Sequence, residues 1–261
     1  MNKDLFEKIT ELNRDHKNYA IATVIMVQGS SSGKVGDKAI FGEDGRRIMG
    51  FIGGGCIENR VSRTALEAIN DGEPKIVNIN LDSDEIGMGI PCGGHMSIIV
   101  EPQIKSPTFL VRGMGRVVEV LAELGYMLNF RVVVQTSEEE KSRFHNADEI
   151  ITKPLELDEL DFNVDYFLLV THHRDDDKMS LRALQMGIPF VAVVASRKKA
   201  GLLVDYLKKN GVSDSELERF HSPAGLNLNA KTAEEIALSI LSEMVLHRNG
   251  GTGQPMRKTK V

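Results

Sequence analysis

The chain has 261 residues, enough for one large domain or two modest ones. Its 37 acidic against 32 basic side chains leave a net charge of −5, which argues against a broadly basic nucleic-acid surface, and the absence of tryptophan leaves little material for stacking bases or sugars. Two cysteines, Cys56 and Cys92, are too few for a disulfide framework and suit a reducing cytoplasm, and no run approaches the roughly 18 apolar residues of a membrane span.

The chain opens on an expected amphipathic helix. Leu5, Phe6, Ile9 and Leu12 recur at helical spacing, and Asp4, Glu7 and Glu11 among them do not suit a signal peptide. Residues 19–27 are a continuous β-branched and apolar run, which predicts a buried strand. A Gly/Ser loop fills residues 29–36, and residues 38–41 and 47–52 flank the hairpin signal Glu43-Asp44-Gly45. After Gly53-Gly54-Gly55-Cys56 comes a helix whose inner face is expected to be Ile57, Val61, Ala65, Leu66 and Ile69, stopped by Asp71-Gly72 with Pro74 beyond. Residues 75–81 and 96–101 read as two further strands, joined by a glycine-rich bridge at 87–94.

Residues 103–107 read as a linker, after which the rhythm becomes strand, helix, strand, helix. The expected strands, 108–111, 131–134, 149–151, 166–170 and 190–194, are nearly all apolar, which implies a parallel sheet covered on both faces. Thr232-Ala-Glu-Glu235 is a capping box opening a last helix, with Ile236, Ile240 and Val245 expected on its buried side. The fold class is therefore α/β: an N-terminal α+β domain (1–103), a Rossmann-like parallel-sheet domain (107–248) and a Gly-rich, basic tail (249–261) expected to be disordered.

Two kinds of loop carry candidate chemistry. Gly113-Met114-Gly115 follows a strand and opens a helix, the setting of a dinucleotide fingerprint, with a tight turn, close backbone approach and a helix N-terminus for pyrophosphate. The match is partial, because Val118 stands at the third glycine position and Gln135 where a ribose-binding acid is expected. Gly54 and Gly55 precede Cys56 at a strand-to-helix junction, where the helix dipole favours a thiolate, and Glu58 follows in the first turn. Cys92-Gly93-Gly94-His95 sets a second thiol beside paired glycines. Zinc would need a fourth ligand that nothing supplies, so the two thiols read as a shared soft-ligand or sulfur-handling site, or else as two unrelated core cysteines. Thr171-His172-His173 with Asp177, and Ser196-Arg197-Lys198-Lys199, both follow strands at the carboxyl edge where α/β sheets bind ligands. The three cations could dock a phosphate, or could be solvated surface. His221-Ser222-Pro223-Ala224-Gly225-Leu226 reads as a shaped turn.

Taken in order, these motifs resemble the XdhC/CoxI family, accessory proteins in the maturation of xanthine dehydrogenase and other molybdenum hydroxylases. The resemblance rests on Gly29-Ser30-Ser31, Gly53 to Glu58, Cys92-Gly93-Gly94, Gly113-Met-Gly115, Thr171-His172, Ser196 to Lys199, His221 to Leu226 and Thr232 to Glu235. It departs at Ser32-Gly33, where the family often has Pro-Arg, at Arg116, where it usually has His, and at Gln135-Thr136, where it has an acidic pair.

The resemblance implies a homodimeric, cytoplasmic chaperone rather than a catalyst. It implies binding of molybdenum cofactor (molybdopterin), help in its sulfuration, and partnership with an apo-molybdenum hydroxylase and a cysteine desulfurase. On that reading Cys56 and Cys92 lie near the metal or its incoming sulfur, as candidate molybdenum ligands. Gly54, Gly55, Gly93, Gly113 and Gly115 offer backbone, Glu58 stands beside the thiol, Arg197 and Lys198 meet phosphate, and His172 lines a cleft between the domains. Two other classes stay open: an NAD(P)-dependent oxidoreductase using Gly113-x-Gly115, and a structural adaptor without cofactor.

Overall fold

The structure, a computed structural model, describes residues 2–29, 31–80, 94–171 and 175–258. Cys92, Gly93, His172 and His173 lie outside the described residues. The chain divides into two compact units, Met1–Lys105 and Ser106–Val261.

In the first unit α1 (Asn2–Arg14) leads into β1 (Tyr19–Gly29), β2 (Lys38–Gly42), β3 (Arg47–Gly50), α2 (Gly55–Asp71), β4 (Lys75–Asn80) and β5 (Gly94–Gln103). The strands form an antiparallel sheet in the order β3-β2-β1-β5-β4. One face of this sheet, with Ala20, Ala22 and Val24 of β1, packs on α2, while Tyr19 and Ile40 pack against α1. In α1, Leu5 and Leu12 are buried as expected, but Phe6 is 66% exposed. The helical period explains this: Leu5, Ile9 and Leu12 share a line, and Phe6 sits about 100° away from it. In α2 the buried face is Ile57, Val61, Ala65 and Ala68, with Leu66 and Ile69 half-buried. Asp71-Gly72 does end the helix: Gly72 turns left-handed and its N–H donates to Ala68 O.

The second unit contains β6 (Thr108–Gly113), α3 (Arg116–Met127), β7 (Arg131–Gln135), β8 (Glu149–Ile151), β9 (Tyr166–Val170), α4 (Asp176–Gln185), β10 (Phe190–Val193), α5 (Arg197–Lys209), α6 (Asp214–Leu217), β11 (Phe220–His221) and α7 (Ala233–Asn249). All pairings are parallel, in the order β11-β10-β9-β6-β7-β8. Alternate strand residues feed two cores. Phe109, Val111, Val134 and Leu168 pack under α3 and α7, while Leu110, Val133, Phe167 and Leu169 pack under α4 and α5. Burial on both faces is why these strands read as unbroken apolar runs.

The strict strand–helix alternation fails twice. After β7 and after β8 the described chain makes only short 3-10 turns, Lys141–Arg143 and Leu157–Glu159. Residues 136–148 contain a single large apolar anchor, Phe144, so that segment has no stripe to bury as a helix. The capping box of α7 is present at Thr232 and Glu235. Its buried side is Ala237, Ile240, Leu241 and Met244, whereas Ile236 and Val245 are half-buried.

Candidate functional site

The carboxyl edge of the parallel sheet is where the second unit can meet a ligand. The chain runs outward from β6 through β7 to β8, then returns to β9 on the other side of β6, so the strand order reverses between β6 and β9. Gly113 ends β6 opposite Val170 of β9, and a Cβ there would stand 2.3 Å from the Val170 carbonyl oxygen. Gly115 is the N-cap of α3 at φ +83°, a conformation L-residues avoid, and nothing lies within 4 Å of the Cβ it lacks.

The Gly115 N–H is already engaged, donating to Glu140 Oε2 at 3.0 Å. Glu140 is held by Arg143 at 3.0 Å and Arg143 also reaches Glu119 at 3.1 Å, while Arg116 bridges Glu119 at 3.2 Å and Glu234 at 2.9 Å. Val118, at the third fingerprint position, is fully buried. Close helix–strand approach comes instead at Gly125, where a Cβ would lie 3.0 Å from Val132 Cγ2. Gln135 is 7% exposed and committed to structure, accepting from Arg112 Nε at 2.6 Å and donating to Leu155 O at 2.9 Å. Burial lowers the Arg112 guanidinium from its usual value, opposed by the charge of Glu156.

On the other side of the switch point, Asp176 opens α4 and is buried. Its carboxylate accepts from the Thr171 hydroxyl and pairs with Lys199 Nζ. Ser196 caps α5 by accepting from the Lys199 N–H. Arg197 and Lys198 are exposed in the first turn of α5, where cations oppose the helix dipole. Of the run 196–199, then, Lys199 is tied inward while Arg197 and Lys198 face solvent.

The turn after β11 is locked to α7. His221 Nδ1 lies 3.0 Å from Glu243 Oε1 and its ring stacks on Phe190 at 3.9 Å, while Glu243 Oε2 accepts the Gly225 N–H at 2.7 Å. Burial pushes the Glu243 carboxyl up, but His221 and the Gly225 N–H outweigh it and the net value is lowered. Burial lowers His247, with the charge of His221 acting the same way. His247 Nδ1 meets Tyr166 OH at 3.2 Å.

In the first unit, Gly54, Gly55, Cys56 and Glu58 share the opening turn of α2. Gly54 is the N-cap, without a side-chain cap, and both Gly54 and Gly55 are exposed with nothing within 4 Å of the Cβ they lack. Cys56, the next residue, is half-buried, and Glu58 pairs with Arg47 at 3.0 Å. Among the described residues no group of three or more His, Cys, Asp or Glu side chains is placed to hold a metal ion. Among the described residues no helix is long and apolar enough to cross a membrane. Gly113, Gly115, Arg197 and Lys198 thus share one sheet edge, and Gly54, Gly55, Cys56 and Glu58 share one turn. Sequence reasoning missed Glu140, Asp176, Lys199 and Glu243 as organisers of these places.

Two family models match the chain: the XdhC Rossmann domain over residues 109–244, and the XdhC and CoxI family over residues 12–80. Among curated proteins, the uncharacterized YqeB of Escherichia coli is 26% identical over 98% of this chain, which spans only 48% of YqeB, about half its length. Escherichia coli PaoD, named a molybdenum cofactor insertion chaperone, is 22% identical over 87% of this chain and 83% of its own. A Bacillus subtilis protein named as a probable xanthine dehydrogenase component is 22% identical over 91% of this chain and 95% of its own. A crystal structure described as a xanthine dehydrogenase from Bacillus halodurans aligns over 97% of both chains at 22% identity and a TM-score of 0.48. The chain belongs to the XdhC family.

Proposed function

We propose that the protein is an accessory factor that carries molybdenum cofactor and assists its insertion into a molybdenum hydroxylase such as xanthine dehydrogenase. Membership of the XdhC family supports this reading, as does the likeness to PaoD over most of both chains. The observation that carries it is the Gly54-Gly55-Cys56 turn, where two exposed glycines with open space beyond their Cα atoms directly precede a half-buried cysteine at the start of α2.

The residues present suit the group. When bound, the cofactor supplies a soft, sulfur-ligated metal centre and a phosphate anion. Thiolates match soft metals, so Cys56, with Cys92 as second thiol, is assigned to that end. Arg197 and Lys198 suit the phosphate because they are exposed cations at the ligand edge of the sheet. Gly54 and Gly55 let a flat ligand lie against backbone. Gly93 in the first unit and Gly113 and His172 in the second complete the proposed set, with Gly115 offering only the open space beyond its Cα because its N–H is held by Glu140. Glu58, in the same turn as Cys56, belongs to the proposed set and is paired with Arg47 at 3.0 Å. Sulfuration with a cysteine desulfurase, a homodimeric state and a cytoplasmic location belong to the same proposal.

A nicotinamide oxidoreductase is the weaker reading. Gln135 is spent on Arg112 and Leu155, and Gly115 on Glu140. Reconstitution tests the proposal. An apo-molybdenum hydroxylase incubated with cofactor should gain activity faster when this protein is added, and the Cys56→Ala, Cys92→Ala double variant should lose that gain. Equal activation with and without the protein would sink the reading.

A further inference from the structure

We infer that Glu140 is a built-in anion that sets what the Rossmann turn accepts. Its carboxylate stands where a pyrophosphate would meet the start of α3, and phosphate ligands gain that position only when it is displaced. This role goes beyond the cofactor reading and does not depend on it.

Its origin is the missing helix after β7. Residues 136–148 turn back instead, with the Glu140 N–H donating to Ser137 O at 3.2 Å and the Arg143 N–H to Glu140 O at 3.0 Å. That tight turn aims the Glu140 side chain at α3, where Oε2 takes the Gly115 N–H at 3.0 Å. Arg143 grips the same carboxylate at 3.0 and 3.3 Å. A carboxylate offers what phosphate offers a helix N-terminus, negative charge and oxygen acceptors, so the two compete for one donor.

The surroundings also disfavour an incoming anion. The cations Arg116 and Arg143 face the carboxylates Glu119, Glu140 and Glu234, so the five groups carry a net charge of −1. Both arginines are already paired, and Gln135 cannot stand in for a ribose-binding acid while it holds Arg112 and Leu155 O. The turn nonetheless keeps the geometry of a close backbone approach: Gly115 holds a positive φ of +83°, and the space beyond its missing Cβ is open. Glu140 is the group that occupies the turn's donor, and the backbone around it is intact.

The test uses the full chain with ADP and NAD⁺ as probes, titrated by calorimetry into wild type, Glu140→Ala and Glu140→Gln. Wild type should give no binding heat at about 1 mM ligand, while Glu140→Ala should bind ADP at least about tenfold more tightly than wild type, and less so as salt rises. Glu140→Gln keeps the shape, loses the charge and should fall between them. It also carries the test should the alanine variant fail to fold. Exchange of the Gly115 amide hydrogen should quicken in Glu140→Ala, a readout that needs no ligand. Wild type binding ADP as tightly as Glu140→Ala overturns the inference, as does a folded Glu140→Ala chain that binds no ADP, whether or not Gly115 exchange quickens. These outcomes are independent of molybdenum-cofactor binding, so the two proposals fail separately.

Discussion

The buried pair at the sheet edge should respond asymmetrically to losing its two members. Asp176 is 3% exposed, whereas the Lys199 side chain that meets it is 35% exposed. Lys199→Ala strands a buried carboxylate that keeps, among the described residues, the Thr171 hydroxyl as its side-chain partner. Removing one partner of a buried pair costs about 3–5 kcal/mol, and the Lys199 change belongs in that range. For a domain of this size each kcal/mol shifts the melting midpoint by about 2–4 °C, so Lys199→Ala should lower it by about 6–20 °C. Asp176→Asn keeps the shape and a partner for Thr171, and the released ammonium can reach solvent. Its cost should be nearer 1–2 kcal/mol, roughly 2–8 °C. The double variant should be more stable than Lys199→Ala alone, because the neutral amide removes the orphaned charge. Calorimetric melting and urea titration of the four proteins measure this. An Asp176→Asn loss equal to or larger than the Lys199→Ala loss would refute the reasoning, as would strictly additive effects.

Other outcomes follow from the same contacts. Gly113→Ala should damage the second unit more than Gly115→Ala, because its Cβ meets the Val170 carbonyl oxygen at 2.3 Å while that of Gly115 meets nothing within 4 Å. Denaturant midpoints should put Gly115→Ala at the conformational cost alone, about 1–3 kcal/mol for its φ +83°, ψ −173° backbone, and equal losses would contradict the geometry. Glu243 and His247 both bind protons more weakly in the folded chain, so their stabilisation is whole at neutral pH and lost on acidification. The His247 loss begins as pH drops below about 6.5 and the Glu243 loss below about 4.3. Urea midpoints measured from pH 7 to about pH 2.5 should fall, and the part of that fall below about pH 4.3 should flatten in Glu243→Gln. Phe6→Ser should leave the melting midpoint nearly unchanged, because that ring is 66% exposed. A loss of several degrees would place Phe6 in a contact the isolated chain does not show.

The strands were legible as apolar runs, but the run did not tell the two sheets apart. β1 reads as unbroken as β6, β9 and β10, yet its burial alternates and Ile25 and Met26 are exposed, because only one face of an antiparallel sheet packs on α2. β11, two residues long, is too short to leave a pattern. The site was legible down to its loops but not to every side chain. Asp176 stands among three consecutive aspartates, and only helix phase singles it out, since Asp176, Ser180, Ala183 and Leu184 share the inward stripe of α4. Phase would have found Lys199 too, because it adjoins the stripe of Ala200, Leu203 and Leu207. Glu140 left no such sign. Its partner Gly115 lies 25 positions earlier, and a surface Glu in an acidic run looks like solvated chain.

The proposed hold on molybdenum cofactor by the Gly54-Gly55-Cys56 turn and Cys92 is tested most directly by anaerobic purification from a molybdenum-replete host, followed by assay of molybdopterin and molybdenum per chain. The wild type should retain cofactor, and the Cys56→Ala, Cys92→Ala double variant should lose at least about tenfold, the loss of roughly one good ligand contact. No cofactor on the wild type, or equal retention by the double variant, would contradict it.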